Sequence, residues 1–415
     1  MKKYNLIVAG GGLTGVAAAV SASRMGLSVL LVEKSGSLGG ALSNCLVYPF
    51  MPYWTDINGE RKYLSDGLFT EMRKRHGKYF PDSKDGNFKT EFFKFVLDEM
   101  TVESGAEILF HTVISDVDCS ELKVKSVTLS TNAGLIKAEA DFFIDATGDG
   151  NLFYLAGCDY QLGRQQDNLC QPMTTCFRIA NVDYDLFRNE NKEIQETYKQ
   201  YREEGKIINP RENILQFDGL GEGIMHLNTT RIVKMNPTDP FEVSKAEIEA
   251  RKQIKEVFDF LKQYKSFKNS FIVSVAADIG VRESRMLKGV HILTETELKN
   301  CTKFDDAIAL GNYDIDIHNP EGTGTSHYYF KPGEYYSIPY RSLLPKEYDN
   351  LLVGGRCISA THEAQASIRI MPICATTGEA AGTAAAVAYN TGKTAKTVDV
   401  NKIRQTLSEN GAAVD

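Results

Sequence analysis

The chain has 415 residues, enough for two or three domains that each bury a core. Hydrophobic residues make up 42% and charged residues 24%, which excludes a disordered or fibrous protein; a net charge of −7 with no basic run longer than Arg73-Lys74-Arg75 argues against nucleic acid or an anionic membrane as partner. The eight cysteines are scattered without a CxxC pair or zinc-ligand spacing, which points to reduced thiols in a cytoplasmic protein without a metal, and no apolar stretch reaches the roughly 20 residues of a membrane span.

The first 26 residues, MKKYNLIVAGGGLTGVAAAVSASRMG, begin like an export signal, but Gly10, Gly11, Gly12 and Gly15 interrupt the apolar run where a signal helix must be strongest. They read instead as a buried strand over 5–9, a glycine turn and an alanine-rich helix over 16–25. Gly10-x-Gly12-Leu13-Thr14-Gly15 is a dinucleotide fingerprint: a tight turn, a close backbone approach to a diphosphate, and close packing of helix on strand. A second strand over 28–32 ends in Glu33, at the spacing of an acid that binds an unphosphorylated ribose. Next, Lys34 to Asn44 holds a further pair of glycines, Gly39 and Gly40, which gives backbone access to something long and flat.

Further along, 124–130 and 135–138 alternate as a hairpin turning at Asn132-Ala133-Gly134, and 141–150 (DFFIDATGDG) is a strand ending in glycines. The middle of the chain, 159–348, drops the dinucleotide pattern. It offers a strand over 172–179, helices over 183–204 and 244–264, and a loop at Gly219-Leu-Gly-Glu-Gly223. Here lie a guanidinium-rich stretch, Arg282-Glu283-Ser284-Arg285, and an aromatic stretch from His327 through Tyr336 to Arg341. Asp314-x-Asp316-x-His318 has ligand spacing, yet Asn319-Pro320-Glu321-Gly322 follows as a solvated turn, which speaks against a metal. A last buried strand, Leu351-Leu-Val353, stops at Gly354-Gly355-Arg356, and a small-residue helix runs from Pro372, which suits a first turn, to Val387.

The IDATGDG and GRCISATHEA…MP…GEAAG segments, in this order behind the first fingerprint, resemble FAD-dependent oxidoreductases of the glutathione-reductase-like superfamily, distantly similar to fumarate reductase flavoproteins. The resemblance implies an α/β fold: a Rossmann-like FAD-binding domain with a parallel sheet and β-meander, from 1–158 and 349–415, and an inserted α+β substrate or cap domain at 159–348. It implies FAD as cofactor. The ADP half would lie on the first fingerprint, the adenine near Val113, and the diphosphate by Ala146-Thr147-Gly148; the late helix would start at the flavin ring near Cys374 to Thr376, with Gly355, Arg356 and Arg369 beside the cofactor. A helix N-terminus there would stabilise the negative charge of reduced flavin. Arg356 departs from the acid that disulfide reductases place after this strand, and no second complete fingerprint announces an NAD(P)H domain, so the electron partner is unnamed.

The expected activity is hydride transfer between a small polar organic substrate and flavin N5, with His327 or a tyrosine such as Tyr336 moving the proton and Arg285 or Arg341 orienting the substrate. The alternative is a flavoprotein whose FAD is structural or serves electron transfer without turnover of its own. Substrate and oligomeric state are not legible.

Overall fold

The computed structural model describes residues 2–415. Strand β1 (Lys2–Ala9) lies at the centre of a seven-stranded sheet, between β2 (Val29–Val32) and the long strand Gly134–Asp145, all three parallel. Glu107–Leu109 extends the sheet beyond β2. On its other edge the long strand changes partner along its length. Its first half takes the meander Lys123–Thr131 and Val113–Ser120, antiparallel, and its last three residues take the parallel strand Leu351–Val353. The hairpin expected at Asn132-Ala133-Gly134 is the turn of that meander.

Register explains where a ligand can go. Ala9 stands opposite both Val32 and Asp145, and Asp145 stands opposite Val353, so the parallel strands end at one level. Each then runs into the loop singled out in the sequence: Gly10, Glu33, Ala146 and Gly354. Ligands of open α/β sheets bind at this carboxyl edge. Helix α1 (Leu13–Arg24) leaves the first loop, and its exposed-face residues are few because the late helix Met371–Asn390 packs along it. The small residues permit that approach: a Cβ on Gly378 would sit 2.1 Å from Thr14 O, and one on Gly382 2.2 Å from Ala18 O. Across the same late helix, buried Glu379 accepts a hydrogen bond from Leu68 N at the start of the helix Leu68–Gly77 (2.9 Å).

A second core lies apart from the first. It is built by the antiparallel sheet of Gln216–Phe217, Met225–Leu227, Phe177–Ala180 and Phe271–Val275, with the helices Tyr184–Glu203 and Pro240–Leu261. Both helices start at aspartate caps, Asp183 and Asp239. The second begins earlier than its apolar periodicity suggests, because Asp239 followed by Pro240 is a start signal. Residues from Leu287 to Leu344 pack into the first core. No helix among the described residues is long and apolar enough to cross a membrane.

Candidate active site

One cleft of about 520 Å³ runs along the carboxyl edge of the main sheet, within the range of small-molecule sites. At one end it is walled by Gly10, Gly12, Leu13, Thr14, Glu33, Lys34, Gly39, Gly40, Asn44, Ala146, Thr147, Gly148 and Arg356; the far end reaches Arg369, His318 and His327. Sequence segments more than 300 positions apart thus meet as expected.

The glycines divide their work. A Cβ on Gly10 would lie 2.6 Å from Ala146 O, and one on Gly15 only 1.7 Å from Gly10 O, so both keep backbones in contact. Gly12 is different: nothing but Gly40 Cα comes within 4.0 Å of its missing Cβ, so the space it leaves open is in the cleft itself. That cradle beside the unpaired amides of α1, with no side-chain cap on the helix, suits a diphosphate. Glu33 accepts from Gly11 N (2.6 Å), Ser35 N (2.8 Å) and Ser35 Oγ (2.7 Å), which fixes the turn it borders. Asp145, fully buried at the end of its strand, accepts from Thr147 N, Thr147 Oγ1 and Phe153 N, tying the second loop into place. Arg356 pairs with Asp149 (2.7 Å) and keeps Nη1 buried without a protein partner on the cleft wall; Arg369 Nε is left in the same way. Such orphaned donors, with the open cradle at Gly12, fit a long anionic cofactor.

At the far end, the hairpin Ile315–His318 and Thr325–Tyr328 crosses the cleft, and its turn is the predicted 319–322 segment. Asp316 stands opposite His327 in register and is the hub of a buried network. Its Oδ2 accepts from Tyr313 (3.0 Å), Arg369 (3.1 Å) and His318 Nε2 (3.3 Å). Arg231 donates to His318 Nδ1 (3.1 Å), and a guanidinium cannot accept, so the His318 proton sits on Nε2 and the ring is neutral. Burial and the nearby Arg282 charge accordingly push His318 far down. Burial pushes the Asp316 carboxyl up, but the His318 bond and the Arg369 charge outweigh it and hold the carboxyl well below the usual range. His327 Nδ1 contacts Asp314 Oδ2 at 2.5 Å and its ring stacks on Tyr329, leaving Nε2 without a partner among the described residues. Burial pushes the Asp314 carboxyl up and the His327 bond works against that rise.

Several expected site residues lie elsewhere. Arg285 points away from the cleft and stacks on Tyr154 (4.0 Å) while bonding Asp149 O and Asn151 Oδ1; it braces the second glycine loop. Arg282, in the irregular stretch before that short strand, is the guanidinium that lines the cleft. Arg341 pairs with Asp306 at the surface, outside the cleft. Tyr336 is fully buried with its hydroxyl on Ser367 Oγ (2.6 Å), so no substrate reaches it. Among the cofactor candidates, Gly15 and Gly355 stand behind the wall, the latter against Thr14 Oγ1; Thr376 is buried with its hydroxyl on Ile373 O. Val113 is half-exposed at the start of the outermost meander strand, away from the cleft. Ile370, Met371 and Cys374, from the start of the late helix, do line it. Sequence reasoning missed Arg211, Tyr313 and the Asp314–His327 pair. Asp314, Asp316 and His327 place ligand atoms within 4.8 Å of one another; the three donors of Asp316 sit on Oδ2, and its Oδ1 is buried without a partner among the described residues, 3.8 Å from His327 Nδ1.

A parallel sheet with its fingerprint turn, meander and late helix converging on one cleft defines a dinucleotide-binding flavoprotein fold. The family described as FAD dependent oxidoreductase matches residues 5–407, and the chain belongs to it: it is an FAD-dependent enzyme. Among solved structures, it is similar to a geranylgeranyl bacteriochlorophyll reductase-like protein from Thermoplasma acidophilum, with 14% identity over 99% of this chain and 84% of that one and a TM-score of 0.47. It is also similar to the OxyS anhydrotetracycline hydroxylase of Streptomyces rimosus (12%, 99% and 66%, 0.46) and to a mutant of the flavin-dependent brominase Bmp2 (12%, 98% and 84%, 0.46). None of these three bears on the chemistry of this chain.

Proposed function

We propose that the enzyme moves a hydride between a carbon of a small polar organic substrate and its flavin, and that His327 exchanges the accompanying proton. The single observation that carries this reading is the Asp314–His327 pair at the mouth of the cleft that begins at the glycine turn. FAD, when bound, supplies a two-electron hydride acceptor or donor at N5. The fingerprint residues, Lys34, Asn44 and Arg356 would hold its nucleotide half, and Arg369 and the start of the late helix would face its ring end. Asp314 accepts a hydrogen bond from Nδ1–H of His327, which orients the ring and leaves Nε2 as the atom that accepts a proton from a substrate hydroxyl or amine, or returns it in the reverse direction. Neutral His318 and the Asp316 network hold the hairpin that carries His327. In this reading 1–158 and 349–415 bind FAD and 159–348 supplies the cap, supported by the separate core at 177–267; eight unpaired thiols favour a reducing cytoplasmic setting.

The test is anaerobic photoreduction of the holoenzyme followed by mixing with organic acids, keto sugars and quinones. Reoxidation by a small molecule is expected, at least about 100-fold slower in His327→Ala at full flavin content. Wild-type rates in that variant would overturn the proton assignment, and reoxidation by no small molecule would overturn turnover itself.

A further inference from the structure

The far end of the cleft carries a charge imbalance. Arg211, Arg282 and Arg369 line it, and Asp316 is the one carboxylate that lines it with them. Asp316 is taken by Arg369, Tyr313 and His318. Arg282 has only a neutral partner, the Pro172 carbonyl, and Arg211 only the Asn213 side-chain oxygen. Of the other charged groups nearby, Arg231 is matched with Glu212, and Asp314, hydrogen-bonded to a neutral His327, adds one negative charge. Three guanidiniums against Asp316 and the neighbouring Asp314 leave a positive charge in excess in a half-buried pocket.

The opposite end shows no such excess. Lys34 pairs with Asp278 (3.2 Å) and Arg356 with Asp149 (2.7 Å), and the diphosphate is served there by the amides of α1. The groups that act on Arg282 are Arg369, Arg211, Asp316 and Arg231, and none of them belongs to the glycine turns. Burial and the Arg369 and Arg211 charges push Arg282 down to about 9, and burial pushes Arg211 down as well. A guanidinium does not surrender its proton in a protein, so a counter-anion would offset the cost of burying these charges.

Building on the hydride-transfer reading, we infer that the substrate is an organic anion whose carboxylate is gripped by Arg282 and Arg211 in the cleft that His327 also lines. Arg282 is thereby the specificity residue that Arg285 was expected to be. Planar forks of this kind recognise carboxylates by paired N–H donors. Arg369, held by Asp316, braces the network and is spared for the cofactor side.

The experiment is equilibrium titration of the oxidised holoenzyme, read by flavin absorbance, with oxalate, malonate and succinate, and with neutral malonamide. At least one dicarboxylate should give a saturable difference spectrum and malonamide none. Arg282→Met and Arg211→Met, with flavin content unchanged, should each weaken that dicarboxylate about 30-fold, while Arg341→Met binds it like wild type. Malonamide binding as well as malonate, unaltered binding in both variants, or loss of flavin from both variants would overturn the inference, the last because the guanidiniums would then serve the cofactor. Reoxidation by neutral keto sugars but no acid would sink the anion site and leave hydride transfer standing. Saturable dicarboxylate binding with no reoxidation by any small molecule would do the reverse.

Discussion

Glu379 offers a stability test that is independent of catalysis. It sits in the middle of the late helix, 2% exposed, and accepts from Leu68 N while the backbone of Gly67 presses close. Burial pushes its carboxyl up to about 8, with the Leu68 bond working against the rise. The folded protein therefore keeps the proton to about pH 8, whereas the unfolded chain releases it near 4.5. Between those values the folded state binds more protons, so stability falls as pH rises, by about 1.4 kcal/mol for each pH unit. By pH 7 the loss is about 3 kcal/mol, and it levels off above about 8. Glu379→Gln mimics the protonated acid at every pH, and its carbonyl can still accept from Leu68 N. Urea unfolding followed by circular dichroism should show the variant close to wild type at pH 5 and more stable by about 3 kcal/mol at pH 7. A gap that does not change with pH, or a variant less stable than wild type at pH 7.5, refutes the reasoning.

The second and third fingerprint glycines should fail differently. Gly12→Ala should fold normally, since nothing crowds its Cβ, yet purify with little flavin; Gly15→Ala should not accumulate as folded protein, because its Cβ would lie 1.7 Å from Gly10 O. Flavin-to-protein ratio and circular dichroism separate the two outcomes. Tyr336→Phe should lower stability by about 1 kcal/mol through the lost Ser367 bond and leave flavin content and turnover intact, as measured by urea unfolding and the reoxidation assay. Asp314→Asn should slow turnover about 100-fold with flavin retained, since a neutral amide does not stabilise the imidazolium that forms when Nε2 takes a proton; an unchanged pH–rate profile would contradict the pairing.

How far the sequence could be read depended on the range of the interaction. The nucleotide end was legible because its determinants are local: a strand, a glycine turn and a helix occupy Lys2 to Arg24, and the steric demands on Gly10, Gly12 and Gly15 are written in spacing. Two later segments were legible for the same reason, each being a buried strand that stops at glycines. The substrate end was not, because it is assembled by pairing across a hairpin and between distant segments. Asp314 meets His327 only when the strands align Asp316 with His327, and Arg211 comes from a loop that nothing local marks. Within Arg282-Glu283-Ser284-Arg285, choosing the cleft-facing guanidinium needs the direction of each side chain, which an irregular stretch before a three-residue strand does not reveal. Tyr336 lay in a dense aromatic run, but its strand is buried along its whole length and its hydroxyl meets Ser367.

The strand ends that share one level have a consequence for biogenesis. The pocket wall draws on residue 10 and on residue 374 alike, and the central sheet takes an edge strand at Leu351–Val353. A ribosome-bound fragment that stops before residue 351 therefore presents a half-built cradle, and capture of the coenzyme waits until the edge strand and the late helix have emerged.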